Sequence, residues 1–210
     1  EGEVYHPPLC SRPIEPHRRS PLGRETALQK CVWKDDWLYL EHGGVVPAVD
    51  VPVTKGADVA QDTGRVAHRF DTAVLPSEFQ WLRTPEPERI FSLTERPGHL
   101  RLIGRESIGS WFEQALVARR QEHHRFRAET VVDFLPDTYQ QVAGLTHYYN
   151  RHKLHAVAVT LHEKLGRVVT VLSCAGDFPH AKLVWPAGSG VPVPDGPVHL
   201  AIEVDDNDLQ

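Results

Sequence analysis

Between residues 126 and 134 the chain alternates: Phe126, Ala128, Thr130, Val132 and Phe134 fall on one side, while Arg127, Glu129 and Asp133 fall on the other. A period of two belongs to a half-buried antiparallel strand, whose successive side chains point to opposite faces. Shorter alternating runs recur at 145–149, 155–162, 167–173 and 198–204, each bounded by polar or turn-forming residues. Nowhere does an apolar 3.6-residue period persist, so the chain is expected to be all-β, with strands at the spacing of an antiparallel sandwich. Leu165-Gly166-Arg167 is the expected tight turn between two of them, because glycine accepts positive φ without a steric penalty.

The first part carries its own signals. Residues 24–33 alternate as a strand, Lys34-Asp35-Asp36 supplies a polar turn, and Trp37 to Leu40 returns, which predicts a hairpin. A stretch rich in Gly, Pro and Asp then runs from Gly43 to Gly64 and reads as a linker, with a domain boundary near Thr54. Arg69-Phe70-Asp71 is expected to open a second set of strands, followed by Leu100 and Leu102. The 210 residues contain no Met, begin on a strand-like Glu1-Gly2-Glu3-Val4-Tyr5, and stop just after the alternation at 198–204. The chain is therefore expected to be cut at both ends from a longer protein.

Several function classes are disfavoured. The net charge of −5 is made of interspersed acids and bases, so there is no basic face for phosphates and no basic amphipathic helix for a membrane. Nucleic acid and lipid are not expected partners. Cys10, Cys31 and Cys174 are odd in number, far apart and outside any CxxC spacing, which predicts three buried free thiols. No apolar run approaches the roughly 20 residues that span a bilayer, no signal peptide is visible, and a cytoplasmic location is the expectation. His123-His124 and the set His147, His152 and His155 lack the spacing of a zinc site, HExxH is absent, and no GxSxG elbow offers a nucleophile.

Two groups of segments resemble a known family. The first comprises Leu9-Cys10-Ser11-Arg12-Pro13, Pro21-Leu22-Gly23-Arg24-Glu25-Thr26-Ala27-Leu28-Gln29, Trp33 and Trp37. The second comprises Phe79-Gln80-Trp81-Leu82-Arg83, Arg96-Pro97-Gly98-His99-Leu100-Arg101-Leu102, Phe112 to Arg120, Tyr139-Gln140-Gln141-Val142-Ala143-Gly144-Leu145 and Tyr148-Tyr149-Asn150. Together they resemble the β-xylosidases of glycoside hydrolase family 43. The resemblance implies the end of a five-bladed β-propeller at 1–53, a linker at 54–67, and an antiparallel concanavalin A-like (jelly-roll) β-sandwich at 68–210, incomplete at its C-terminus. The implied activity is exo β-1,4-xylosidase on xylo-oligosaccharides, with α-L-arabinofuranosidase activity also within the family's range.

The same resemblance places Arg24 on hydroxyls of the xylosyl unit. A guanidinium suits that task because its planar, permanently charged fork holds neighbouring acceptors in fixed geometry. The competing reading of Arg24 is an ion pair with Glu25 or Glu41 beside a strand. His6 and Arg12 are weaker candidates, since Pro8 stands where relatives often carry histidine and Ser11 where glycine is usual. In the family the acids of an inverting mechanism come from earlier blades, so no catalytic residue is expected here, and Glu25 and Asp71 are not candidates. The resemblance allows a calcium ion in the missing propeller and a homo-oligomer. Trp81, Tyr148 and Tyr149 invite either sugar stacking or core packing. Gln140, Gln141 and Asn150 read either as sugar contacts or as buried amides satisfying backbone. The alternative from another class is a non-catalytic carbohydrate-binding, lectin-like module.

Overall fold

The computed structural model describes residues 2–52, 64–176, 182–186, 188 and 190–205, so the boundary at Thr54 and linker residues 54–63 lie outside the described residues. Strands, turns and irregular loops account for these residues, with one 3-10 turn at Pro87–Arg89 and no α-helix among the described residues. The chain forms two compact units, Glu1–His68 with Gln121–His124, and Arg69–Arg120 with Arg125–Gln210.

In the first unit, β1 (Val4–His6) pairs with β4 (Gln29–Lys34), and β2 (Leu9–Cys10) pairs with β3 (Glu25–Thr26), all antiparallel. Both pairs share one register, from Val4 opposite Cys31 to Cys10 opposite Glu25. The interruption falls at Pro7 and Pro8, which have no N–H to donate to a ladder; Ala27 N donates to Pro8 O at 3.0 Å across the gap. The strand expected over 24–33 is consequently two short strands. The predicted hairpin does form: β5 (Trp37–Leu40) pairs with β4, and Lys34 faces Trp37. Asp35 and Asp36 make the two-residue turn at φ 52° and 62°, the left-handed pair that matches strand twist and that Asp tolerates better than most residues.

Gln29 ties the next segment down. It is buried at 1% exposure, its Nε2 donates to Leu28 O (2.7 Å) and Ala48 O (3.0 Å), and its Oε1 accepts from Ala48 N at 2.8 Å. A buried amide satisfied on both ends replaces ladder bonds that an irregular loop cannot make for itself.

The second unit is built on a four-stranded antiparallel sheet, β11 (Ala143–Asn150), β12 (Lys153–His162), β13 (Gly166–Ala175) and β14 (Val191–Pro192). Leu154, Ala156, Ala158, Leu172 and Cys174 form the buried cluster on one face, with Ile108 and Tyr148 packed on it. Full burial of each Leu stabilises by roughly 1.5–3 kcal/mol. A two-stranded sheet, β10 (Phe126–Val132) with β15 (Val198–Val204), lies against β11 and β12. β10 has the alternation read from its sequence, inward residues half-buried and Arg127, Glu129 and Val131 exposed. Smaller pairs join β6 (Phe79–Trp81) to β9 (Val117–Arg119) and β7 (Phe91–Ser92) to β8 (Arg101–Leu102). Gly166 closes the β12–β13 hairpin opposite His162 at φ 74°, the conformation expected of it.

Arg69-Phe70-Asp71 is not a strand. Phe70 sits at φ 51°, outside the extended region, and its carbonyl accepts from Gly98 N at 3.2 Å, so the segment turns instead of pairing. The first strand of this unit begins at Phe79. All three cysteines are unpaired, but only Cys31 and Cys174 are buried; Cys10 is half-buried at the short β2–β3 pair.

Candidate functional site

The segment that carries Arg24 is fixed on both sides. Before it, Leu22 is buried at 4% exposure, and Gly23 turns the chain at φ 72° with its N–H donated to Ser20 O at 2.9 Å. A side chain at Gly23 would be strained in that conformation. After it, Glu25 enters β3 and receives the Arg12 guanidinium on both oxygens, Nε to Oε2 at 3.0 Å and Nη2 to Oε1 at 2.7 Å. Arg24 itself is exposed. Arg24 is not without interactions of its own; Glu25 receives Arg12, and Glu41 lies 3.4 Å from Lys30.

Arg12 has a structural position. Besides Glu25, its Nη2 donates to Glu122 O at 2.8 Å, and its own carbonyl lies 3.2 Å from His124 Nε2. The hydrogen bonds that Arg12 donates to Glu25, reinforced by the carboxylate's charge, raise the Arg12 pKa further above its already high value. Three of the five guanidinium N–H donors are thus used within the unit. His6 lies on β1 opposite Gln29 and lines an open cleft of about 520 Å³ together with Pro8, Leu38, Leu40, Val45 and Pro47. Arg24 does not line that cleft.

The arrangement offers hydrogen-bond donors, not an acid/base pair. Glu25 is bound on both oxygens by one guanidinium, and Asp71 is exposed in the second unit. Among the described residues no three His, Cys, Asp or Glu side chains converge on one point. His147 faces His155 across β11 and β12, and Ser173 Oγ is 2.9 Å from His155 Nδ1. Burial, followed by the charge of His155, lowers the His147 pKa.

The aromatic residues divide. Tyr148 is half-buried on the core with its hydroxyl 3.4 Å from Gln114 Oε1, and burial raises its pKa against the opposing pull of Arg83 and Arg151. Trp81 tilts against Phe91 at 5.6 Å and donates its indole N–H to Thr84 O at 3.0 Å, whereas Tyr149 is 70% exposed. Gln141 satisfies backbone through its Oε1, which accepts from Asp137 N at 2.6 Å, yet it does so while exposed; Gln140 is exposed as well. Asn150 Oδ1 accepts from His152 N at 2.8 Å.

Three buried polar residues carry structural roles that the sequence reading did not assign. Gln29 holds Ala48. Gln114, 4% exposed, donates to Ile108 O (2.6 Å) and Ser110 O (2.9 Å). Arg167, 7% exposed, donates to the carbonyls of Phe134 (3.0 Å), Pro194 and Gly196 (2.7 Å). The inward phase of Gln29, shared with Cys31, could have flagged it; Arg167 falls in the phase of Val169, Val171 and Ser173, the less buried side of its strand, and no alternation marks it.

In the second unit a four-stranded antiparallel sheet with a second antiparallel sheet lying against it gives the layered all-β build of a sandwich. Residues 67–210 match the family model described as the β-xylosidase C-terminal concanavalin A-like domain. The chain belongs to glycoside hydrolase family 43. It is 44% identical to xylosidase/arabinosidase 43B of Humicola insolens over 100% of this chain and 39% of that protein. It is 42% identical to a β-xylosidase of Bacillus subtilis (strain 168) over 82% of this chain and 34% of that protein. The crystal structure of xylan β-1,4-xylosidase from Bacillus halodurans C-125 is similar at a TM-score of 0.81 and 34% identity, covering 97% of this chain and 38% of that one. The chain thus spans less than two fifths of the length of these relatives.

Proposed function

We propose that the chain is the C-terminal part of an exo-acting β-1,4-xylosidase that hydrolyses xylo-oligosaccharides with inversion, and that Arg24 binds sugar hydroxyls in that enzyme. The observation that carries this reading is the Gly23–Glu25 geometry within a chain 44% identical throughout to a xylosidase/arabinosidase. An exposed guanidinium on a backbone held from both sides is pre-organised to donate to neighbouring acceptors. Arabinosidase activity belongs to the proposal through that relative's name, and its α-L-arabinofuranosidase form through the name of a Bacteroides ovatus relative 31% identical over 59% of this chain. His6 and Arg12 take lesser roles in it, His6 at the cleft and Arg12 as the support of Glu25.

In this reading residues 1–53 close the propeller, 54–67 connect, and 68–210 form the sandwich. Inversion requires two carboxyl groups roughly 6.5–9.5 Å apart with water between one of them and the anomeric carbon. These acids lie outside residues 1–210. The exposed Trp37 and Tyr39 share one face of the first unit's hairpin, with Trp33 on the other; the Trp37–Tyr39 face is apolar surface for a partner, either further propeller or another copy in a homo-oligomer. A cytoplasmic location is supported by the three unpaired cysteines. No helix among the described residues is long and apolar enough to cross a membrane.

The test is a pair of assays on aryl xylosides. The 210-residue chain is expected to be inert, and the longer protein containing it active. Turnover by the purified chain, free of host xylosidase, would misplace the chemistry; an inactive longer protein would overturn the assigned activity.

A further inference from the structure

Trp111 is a large apolar side chain that the second unit holds rigid while leaving it 57% exposed. The Arg151 guanidinium lies over one face of the indole, its Cζ 3.1 Å from the ring centroid. That guanidinium is itself fixed, Nη1 donating to Gly109 O at 2.9 Å and Nε to His152 Nε2 at 3.0 Å. The His152 ring meets Trp111 edge-on at 5.9 Å and 73°. With one face covered and one edge contacted, an exposure above one half requires that the opposite face be open to solvent.

The loop bearing Trp111 does not need this clamp to keep its shape. Gln114 already gathers the carbonyls of Ile108 and Ser110, and Glu106 N donates to Glu113 O at 3.1 Å. The Arg151 contact therefore fixes the ring more than the loop. An ordered indole face held in water has lost its side-chain entropy before any ligand arrives, which favours binding.

We propose that the open face of Trp111 is an accessory saccharide-binding platform that stacks the C–H face of a neutral β-linked pentopyranose chain, while Arg151 backs the ring from the covered face. The choice of xylan as the ligand rests on the proposed function; the existence of the platform rests on the clamp.

The experiment uses the 210-residue chain, titrated with xylohexaose and followed by the Trp111 indole N–H signal, assigned through Trp111→Phe. Affinity electrophoresis in gels with and without soluble xylan runs in parallel. The indole signal is expected to shift saturably, and Trp111→Ala to lower the association constant about tenfold or more, since one stacked ring supplies much of the contact of a small platform. Arg151→Ala, which frees the ring, is expected to weaken binding by about threefold, and Trp81→Phe to leave it unchanged. An indole signal unmoved at millimolar xylohexaose overturns the proposal, whether or not Trp111→Ala folds. Equal retardation of wild type and a folded Trp111→Ala overturns it too. In the longer protein, Trp111→Ala should leave kcat/KM on a short aryl xyloside unchanged, so loss of the platform and failure of the xylosidase reading give different results.

Discussion

Arg12 and Glu25 face each other side-on, Nε to Oε2 at 3.0 Å and Nη2 to Oε1 at 2.7 Å, and the same Nη2 also reaches Glu122 O at 2.8 Å. One guanidinium thereby joins β2, β3 and the returning segment Gln121–His124. The Arg12 side chain is 53% exposed, so solvent screening limits the pair to about 0.5–1 kcal/mol. Its larger effect is on position. Arg12→Lys keeps charge but cannot hold two carboxylate oxygens and a carbonyl at once. Faster amide exchange at Gln121–His124 and Glu25, with little change in Tm, is the expected outcome; unchanged exchange would show that the pair holds nothing in place.

Arg24 is tested in the longer protein. Arg24→Ala should lower kcat/KM by about 10² or more, roughly 2.7 kcal/mol of transition-state stabilisation. Arg24→Lys should rescue poorly, because lysine lacks the fork. Arg83, a residue of the second unit, should tolerate replacement with much less loss. Near wild-type kinetics for a folded Arg24→Ala enzyme would return the residue to a surface role.

Gly144 admits no side chain. A Cβ there would lie 2.1 Å from Val157 O and 2.6 Å from Ala158 Cα, both main-chain atoms that cannot swing aside. Gly144→Ala must push β11 from β12, at a cost of about 3 kcal/mol or more. The chain should melt far lower or fail to accumulate as folded protein. A Tm within a few degrees of wild type would contradict this packing.

Arg167 supplies donors to three main-chain carbonyls from a position 7% exposed. Arg167→Leu retains apolar volume but strands those acceptors away from water, costing about 3 kcal/mol. Denaturant melts should record this loss, with Arg167→Lys intermediate because an ammonium cannot reach all three. Equal stability of Arg167→Leu and wild type would mean that water replaces the guanidinium freely.

The His147 pKa is lowered in the folded chain, first by burial and then by His155. An unfolded histidine titrates near about 6.5, so on acidification the unfolded chain takes up this proton before the folded chain does. The stabilising contribution is full above about pH 6.5 and is lost as pH falls from there through the lowered folded value. Tm measured between pH 7.5 and 5 should decline, and His147→Phe, which keeps a ring against Phe126, should flatten that decline. An unchanged acid slope would exclude His147 as its source.

The β class was legible because period-two burial is written into β10 residue by residue, and the Asp35-Asp36 and Gly166 turns because positive φ restricts the residue types that fit. The break in the 24–33 run was visible in the opposing strand, as Pro7-Pro8, and not in the run itself. Phe70 was misread because an apolar residue between polar ones alternates equally well in a turn. Gln29 and Arg167 could not be assigned locally, since Ala48 and the Pro194 and Gly196 carbonyls they hold are remote in sequence. Arg24 was singled out through resemblance alone, and no periodicity distinguishes it from any exposed arginine.

Residues Gln121–His124 are grouped with the first unit although 69–120 and 125–210 form the second. Synthesis from the N-terminus therefore delivers the first unit in two instalments, separated by about a quarter of the chain. The carbonyl of Glu122 that Arg12 requires is the late arrival. Until residue 124 has left the ribosome, the β2–β3 pair next to Arg24 must exist without its last partner, and a gene cut at position 68 would leave it permanently in that immature condition.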